Sequence, residues 1–339
     1  MTNPILVEVT RGGFVESRHR GAIAIVDGAG KVVHSVGDIE QPVFPRSAIK
    51  LIQALPLVES GAADAYKFSN EALALACASH NAEKSQVDTA ATMLAAAGLD
   101  DGALECGPQP PRKEAELAAY YKSGATARRI DNNCSGKHAG MLAFARHSGI
   151  DHHGYSKREH DVQRAVGAAL EEMTGASLAD APCGVDGCSI PTCALPLHQL
   201  ARGFARIATQ QGLAPKRAQA VRKLMDACFA APFMVAGTGR FCTDIMGALP
   251  GRAFVKTGAE GVFCAAFPEL GLGVALKCDD GISRASETMM AHVIADSLSL
   301  SDVERAKIAP RLAPQIANWV GDKVGEVRAV SDFAALLHG

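Results

Sequence analysis

Ser47 and Lys50 stand three residues apart in the stretch Phe44-Pro45-Arg46-Ser47-Ala48-Ile49-Lys50, which leads into an apolar run predicted to be helical. On a helix, positions i and i+3 share one face, with their Cβ atoms about 5–6 Å apart. A serine hydroxyl is a weak nucleophile, and a close, neutral lysine amine can activate it. The pair therefore indicates a candidate nucleophile and base. Ser-x-x-Lys alone also fits a plain helix start followed by a solvated lysine.

Two further motifs follow in an informative order. Ser79-His80-Asn81 is predicted at the end of an apolar helix, and Lys256-Thr257-Gly258 at the end of a C-terminal strand. The series S-x-x-K, S-D-N and K-T-G occurs in this order in class A β-lactamases and penicillin-binding proteins. Here His80 replaces the aspartate of the middle motif. The series favours acyl transfer through a serine ester that ends in hydrolysis.

Each motif has a definite task in such a reaction. Lys50 can accept the proton of the nucleophile if burial or Lys256 lowers its pKa. Ser79 can relay a proton to the leaving amine. Gly258 lets the substrate lie close along the sheet edge, and backbone N–H groups near the nucleophile can hold an oxyanion. Arg46 can bind a substrate carboxylate with two hydrogen bonds, and a structural ion pair is an equally good interpretation.

The elements that position these motifs fall into three blocks. Strands are predicted at 5–10, 22–26, 32–36, 253–256, 261–267 and 273–277, with a last one at 322–328. Helices are predicted at about 47–60, 70–78, 84–97, 114–122, 136–147, 157–173, 196–211, 215–230 and 284–297. Strands at both ends indicate an α+β fold in which one antiparallel sheet, built from the N- and C-terminal segments, is covered by helices. The predicted sheet lobe comprises about 1–45 and 250–339, and the helical lobe about 46–249, within one unit of 339 residues.

Several motifs together resemble the class 3, rhizobial-type L-asparaginases. They are Pro45-Arg46-Ser47-Ala48-Ile49-Lys50, Ala78-Ser79-His80-Asn81, Asn132-Asn133-Cys134-Ser135-Gly136-Lys137-His138, Asp186-Gly187-Cys188 and Lys256-Thr257-Gly258-Ala259-Glu260-Gly261. That family is similar in fold to serine β-lactamases, penicillin-binding proteins and glutaminases. The resemblance implies a homodimeric enzyme that hydrolyses L-asparagine to L-aspartate and ammonia. It also implies two Ser–Lys tandems, Ser47 with Lys50 and Ser79 with Lys256. Which serine is the nucleophile stays open, and the predicted helix start favours Ser47.

A cysteine-rich region admits two interpretations. Cys134 precedes Lys137 by three residues, and Cys183, Cys188 and Cys193 follow at five-residue intervals. Zinc sites prefer C-x₂₋₄-C pairs, so spacing alone supports a metal only weakly, and buried reduced thiols are the alternative. The family resemblance implies that Cys134, Lys137 and Cys188 hold Zn²⁺.

The remaining candidate residues concern substrate binding. Asp186 and His138 are predicted to contact the substrate or to support the metal ligands. Asn81 and Gly258, which belong to the second and third motifs, complete the predicted substrate-binding set together with Arg46.

Composition excludes several other classes of protein. The chain has 34 Lys and Arg against 36 Asp and Glu, and only 5% aromatic residues, so nucleic acid is not an expected partner. The sequence has no run of 18 or more apolar residues, so we expect no transmembrane helix. The N-terminus lacks the pattern of a secretory signal, so we expect a cytoplasmic protein. Its ten cysteines are then expected to stay free or to bind metal.

Three alternative functions remain at this stage. A glutaminase or a penicillin-recognising serine hydrolase would use the same three motifs. A non-catalytic binding protein stabilised by zinc would account for the cysteines, but it leaves the ordered motifs unexplained.

Overall fold

The computed structural model describes residues 2–111 and 114–338. The chain divides into two compact units. We call the first the sheet unit; it comprises Met1–Ala48, Ala194–Gln211 and Asp244–Gly339. The second, the helical unit, comprises Ile49–Cys193 and Gly212–Thr243.

The strands and helices have the following bounds. The strands are β1 (Ile5–Arg11), β2 (Phe14–Asp27), β3 (Val32–Val36), β4 (Pro42–Val43), β5 (Cys183–Val185), β6 (Pro191–Cys193), β7 (Leu195–Pro196), β8 (Phe254–Thr257), β9 (Val262–Phe267), β10 (Leu272–Cys278), β11 (Gln315–Ala317) and β12 (Lys323–Ala329). The α-helices are α1 (Lys50–Gln53), α2 (Leu55–Glu59), α3 (Ala62–Ala65), α4 (Asn70–Ala76), α5 (Lys84–Ala96), α6 (Glu114–Lys122), α7 (Ser135–His147), α8 (Asp161–Thr174), α9 (Leu197–Thr209), α10 (Pro215–Ala230), α11 (Pro232–Ala236), α12 (Phe241–Ala248), α13 (Ser283–Ser297), α14 (Asp302–Leu312) and α15 (Phe333–His338).

The sheet unit is built on one antiparallel sheet. Its strand order is β11-β12-β1-β2-β10-β9-β8, and β3 pairs with β2 beside this path. The first and last strands of the chain are neighbours, because Val7 in β1 pairs with Ala329 in β12. The predicted α+β fold, with its sheet assembled from N- and C-terminal segments, is confirmed.

Helix α9 packs directly against the sheet. Its buried Leu200, Phe204 and Ile207 recur at helical spacing and form one apolar face. The contact is close at Gly273 in β10, where a Cβ atom would lie 1.9 Å from the backbone nitrogen of Ala205. This helix was predicted as part of the helical lobe, but its apolar face packs on strands of the sheet unit.

Helix α7 is the central helix of the helical unit. Its positions from Ser135 to Ala143 are all buried, as expected for a helix with neighbours on every side. At Gly136 a Cβ atom would lie 2.4 Å from Leu75 Cγ and 2.5 Å from the Leu75 carbonyl oxygen of α4. The absence of a side chain at Gly136 therefore allows α4 to approach α7 closely. This close packing fixes the position of α7 and of its buried polar residues Lys137 and His138.

We expect Gly136→Ala to lower the free energy of unfolding by about 1–3 kcal/mol, because the added methyl group overlaps backbone atoms that must move. Gly167→Ala in α8 is the matched control, since its Cβ would lie 3.8 Å from its nearest neighbour, Leu178 Cδ1. That variant should gain up to about 1 kcal/mol from the better helix propensity of alanine. Urea denaturation measures both. Equal stability of the two variants would contradict the close approach of α4 and α7.

A short hairpin was missed in the sequence. Strands β5 and β6 pair so that Cys183 lies opposite Cys193, and these two residues form a disulfide. The expectation that every thiol stays free or binds metal is therefore wrong at these positions. The other eight cysteines are buried and form no disulfide.

The predicted helix at 47–60 is interrupted. Arg46–Ile49 forms a 3-10 turn, and the short helices α1 and α2 follow it. Arg46 has a φ of +50°, a left-handed backbone conformation that is uncommon for a residue with a side chain. Ser47 therefore lies in a tight turn, where we had predicted the first turn of one long helix.

Candidate active site

A buried lysine organises the polar centre of the helical unit. Lys50 is 1% exposed, and its Nζ donates to Ser79 Oγ at 3.0 Å and to Cys134 Sγ at 3.1 Å. It also donates to the carbonyl oxygen of Ala78. Ser79 follows α4, and its backbone N–H is held 2.9 Å from the carbonyl oxygen of Val235. The structure thus brings together Lys50 of the first motif and Ser79 of the second.

The surroundings of Lys50 lower the pKa of its amine. Burial is the main cause, because it lowers the pKa of the Lys50 amine. The nearby charge of Lys137 lowers this pKa further, while the Cys134 sulfur opposes the change. The net shift is downward, so the neutral amine is more accessible than in a solvated lysine. A neutral amine is the form that can accept a proton.

Two thiols and a second lysine lie beside this pair. Lys137 Nζ lies 3.0 Å from Cys188 Sγ, and the thiols of Cys134 and Cys188 hydrogen-bond each other. That bond, assisted by the Lys50 and Lys137 charges, lowers the pKa of Cys134 and favours its thiolate. Burial lowers the pKa of Lys137, but the Cys188 and Cys134 sulfurs outweigh it and raise this pKa to about 12.

His138 follows Lys137 on α7 and is fully buried. Its Nδ1 lies 2.6 Å from Tyr155 Oη, and its Nε2 has no hydrogen-bond partner within the described residues. Burial, together with the Lys137 and Lys50 charges, places the pKa of His138 well below its usual range. The ring is therefore neutral and carries one proton.

The hairpin loop between β5 and β6 carries two further candidates. Cys188 at the loop is buried against Lys137, whereas Asp186 is partly exposed. The Asp186 backbone N–H donates to the carbonyl oxygen of Ile190 at 2.8 Å, which closes the loop. The Asp186 carboxylate is near enough to Lys137 to contribute to the raised pKa of that lysine.

Asn81 is occupied within the fold. Its Nδ2 donates to Glu83 and to the carbonyl oxygen of Thr238, and its Oδ1 accepts from Arg240 Nη1 at 3.0 Å. Gly237 completes this arrangement, because a Cβ there would lie 2.6 Å from Asn81 Nδ2. Asn81 thus holds the 237–240 turn in place, and its predicted contact with substrate remains a prediction.

The sheet unit contains the other catalytic candidates. Lys256 is 1% exposed, and its Nζ donates to the carbonyl oxygen of Thr257 at 3.0 Å. At Gly258 a Cβ would lie 2.8 Å from the carbonyl oxygen of Pro45. The Lys-Thr-Gly motif therefore packs against the segment that leads into Arg46 and Ser47. The need for such an approach explains why glycine stands at position 258.

The contacts of the predicted residues differ in part from the predicted pairs. Within the helical unit, Lys50 lies beside Ser79, whereas the family resemblance implies the pairs Ser47 with Lys50 and Ser79 with Lys256. Those tandems remain a prediction. Tyr155 was missed, since a lone tyrosine in a polar segment gives no signal.

A family model described as L-asparaginase II matches residues 7–329. No curated protein sequence matches the chain. None of the helices in the described part of the chain combines the length and apolar character needed to span a bilayer.

Three solved structures match the chain at low sequence identity. Mglu in its native form, crystallised in 4.3 M NaCl, is 15% identical, with 86% of this chain covered and a TM-score of 0.40. The present chain spans only 61% of the length of that protein. A β-lactamase from Mycobacterium bovis is 13% identical, with 78% of this chain and 89% of its own covered and a TM-score of 0.34. The D-alanine carboxypeptidase AmpC from Burkholderia cenocepacia is 13% identical, with 86% and 92% covered and a TM-score of 0.34.

Proposed function

The chain belongs to the L-asparaginase II family, whose model matches it from residue 7 to residue 329, and we propose that it hydrolyses L-asparagine to L-aspartate and ammonia through a serine ester. The observation that carries this proposal is the buried Lys50 amine, held 3.0 Å from the hydroxyl of Ser79 with its pKa lowered by burial. A coupled assay of ammonia release from L-asparagine tests it.

Ser47 is the proposed nucleophile. Its Oγ attacks the carbon of the side-chain amide, and Lys50 takes the hydroxyl proton. Ser79 relays this proton to the amide nitrogen, the C–N bond breaks, and ammonia leaves. Water then hydrolyses the aspartyl ester and restores the serine. The left-handed backbone of Arg46 supports this role for Ser47, because strained conformations cluster at active sites.

Lys256 and Gly258 are the proposed partners of this chemistry on the sheet. Lys256 is buried, and in its protonated form such a lysine disfavours protonation of a neighbouring amine. Gly258 keeps the edge of β8 free of a side chain, so that a substrate can lie along it. We assign substrate binding to Arg46, whose guanidinium suits a carboxylate, and to His138 and Asp186.

Zn²⁺ is the proposed cofactor, and the donor set fits it. Cysteine sulfur is a preferred zinc ligand, and Cys134 and Cys188 would supply two, the first already favoured as a thiolate. Lys137, whose Nζ lies 3.0 Å from Cys188 Sγ, would supply the third. Lys137 must release its proton to bind. When bound there, zinc supplies a Lewis acid that orients or polarises the substrate.

We expect elemental analysis of the purified protein to find about one zinc per chain, and almost none after Cys134→Ala combined with Cys188→Ala. Thiolate ligands contribute most of the affinity of such sites, so their removal should abolish retention of the metal. Cys228→Ala is the control and should keep the metal, because Cys228 is a buried cysteine of α10 that forms no disulfide. Zinc retained by the double variant, or missing from the native protein, would exclude this ligand set.

The homodimer and the cytoplasmic location remain parts of the proposal. Trp319 is the only tryptophan and is fully exposed in the turn between β11 and β12. Its fluorescence will therefore report any association that covers this turn. The Cys183–Cys193 disulfide departs from the free thiols that a reducing cytoplasm maintains.

A further inference from the structure

The hydroxyl of Tyr155 makes two hydrogen bonds in the interior of the helical unit. Tyr155 is 0% exposed. Its Oη lies 2.6 Å from His138 Nδ1 and 3.0 Å from the backbone nitrogen of Glu105. The backbone of Tyr155 is also held, because the Glu105 carboxylate accepts from the N–H groups of Gly154 and Ser156 on either side of it. The hydroxyl is therefore fixed in position.

The direction of the two hydrogen bonds follows from their partners. The N–H of Glu105 can only donate, so Tyr155 Oη accepts from it. The hydroxyl proton of Tyr155 then needs an acceptor of its own, and His138 Nδ1 is the only other partner recorded for it within the described residues. A buried hydroxyl proton without an acceptor costs about 1–3 kcal/mol. Tyr155 thus donates to Nδ1, and an imidazole that accepts at Nδ1 carries its one proton on Nε2.

The Nε2–H of His138 is then a buried donor without an acceptor. Within the described residues this nitrogen is buried and has no hydrogen-bond partner. A buried N–H is normally paired with an acceptor, so this one requires an acceptor oxygen from a bound molecule. A carboxylate oxygen of an amino acid accepts a stronger, charge-assisted hydrogen bond than a neutral oxygen does.

We propose that Tyr155 is a positioning residue that holds His138 as the Nε2–H tautomer, and that this N–H donates to a carboxylate oxygen of the substrate. The inference deepens the proposed function and rests on it. Tyr155 itself does not touch the substrate; it sets where the proton of His138 lies and how the ring is oriented.

The first test reads the tautomer directly by ¹⁵N NMR of the intact protein. We expect His138 to show a protonated Nε2 and an unprotonated Nδ1. In Tyr155→Phe this pattern should give way to a mixture of tautomers or orientations. A proton on Nδ1 of the native protein would overturn the proposal. Tyr66→Phe is the matched control, since this partly exposed tyrosine lies elsewhere in the helical unit.

The second test measures binding and turnover. In Tyr155→Phe we expect KM for L-asparagine to rise about tenfold, because one hydrogen bond typically contributes about that factor to binding. We expect kcat to change much less. The dissociation constant of L-aspartate, measured by calorimetry, should rise equally. An unchanged dissociation constant would exclude the carboxylate contact. The aspartate measurement needs no turnover, so it separates this proposal from a failure of the proposed reaction.

A third variant distinguishes positioning from mere packing. His138→Gln places an amide N–H close to the position of the imidazole Nε2, and that donor does not depend on Tyr155. In this background Tyr155→Phe should change KM by less than about twofold, because the two residues act through one another. A full, additive tenfold effect would show that Tyr155 acts only through packing. Melting temperatures of all variants identify any that do not fold.

Discussion

Ser47→Ala is expected to reduce ammonia release from L-asparagine by at least about 10⁴-fold, while the protein still folds. Removal of a catalytic serine from a working constellation typically costs this much or more, because the remaining groups act only through it. Ser47 lies in the short Arg46–Ile49 turn and is only partly buried. Loss of its hydroxyl should therefore cost little stability. Initial rates and melting temperature measure the two effects.

Two serine variants serve as comparisons for Ser47→Ala. Ser85→Ala, in the first turn of α5, lies outside the proposed machinery and should keep normal turnover. Ser79→Ala should lower the rate by less than Ser47→Ala, since a relay can be replaced in part by water. The opposite ranking would assign the nucleophile to Ser79, and normal turnover by Ser47→Ala would end its assignment.

Lys50→Met is expected to lower kcat by about 10²–10⁴-fold, the usual contribution of a general base. Methionine keeps most of the volume and removes the amine that contacts Ser79, Cys134 and Ala78. Loss of these hydrogen bonds should also lower the free energy of unfolding by about 1–3 kcal/mol. Steady-state kinetics and urea denaturation separate the catalytic loss from the structural one.

Lys84→Met is the control for this substitution. Lys84 is an exposed lysine that pairs with Asp88 four residues along α5, and exposed pairs of this kind contribute about 0.3–0.5 kcal/mol. Its replacement should leave both turnover and stability nearly unchanged. A Lys50→Met protein that folds and retains native kcat would exclude Lys50 as the base.

The strands and the long helices could be predicted because their periodicity is local. β1, β9 and β10 have β-branched or apolar runs of strand length. Several of the predicted helices end at glycines that adopt a left-handed backbone, namely Gly98, Gly149, Gly175 and Gly212. The interruption near Ser47 could not be predicted. It depends on the left-handed backbone at Arg46, which a propensity for helix does not reveal.

The sequence indicates a set of candidate site residues, but it does not indicate their contacts. The order of the three motifs indicated Ser47, Lys50, Ser79 and Lys256. The 3.0 Å contact between Lys50 and Ser79 joins residues 29 positions apart. The spacing within a sequence motif indicates contacts only between residues three or four positions apart. Tyr155 and the Cys183–Cys193 disulfide depend likewise on tertiary packing. Such long-range contacts leave no periodic pattern in a single sequence.

The most direct measurement compares turnover of L-asparagine, L-glutamine and a chromogenic β-lactam by the same purified protein. The proposed function predicts equal molar release of ammonia and L-aspartate from asparagine. It also predicts that glutamine reacts at least about tenfold more slowly, since one extra methylene typically changes kcat/KM by 10–200-fold, and that the β-lactam is not consumed. Faster turnover of glutamine or the β-lactam, or no hydrolysis of any of the three, would contradict the assignment.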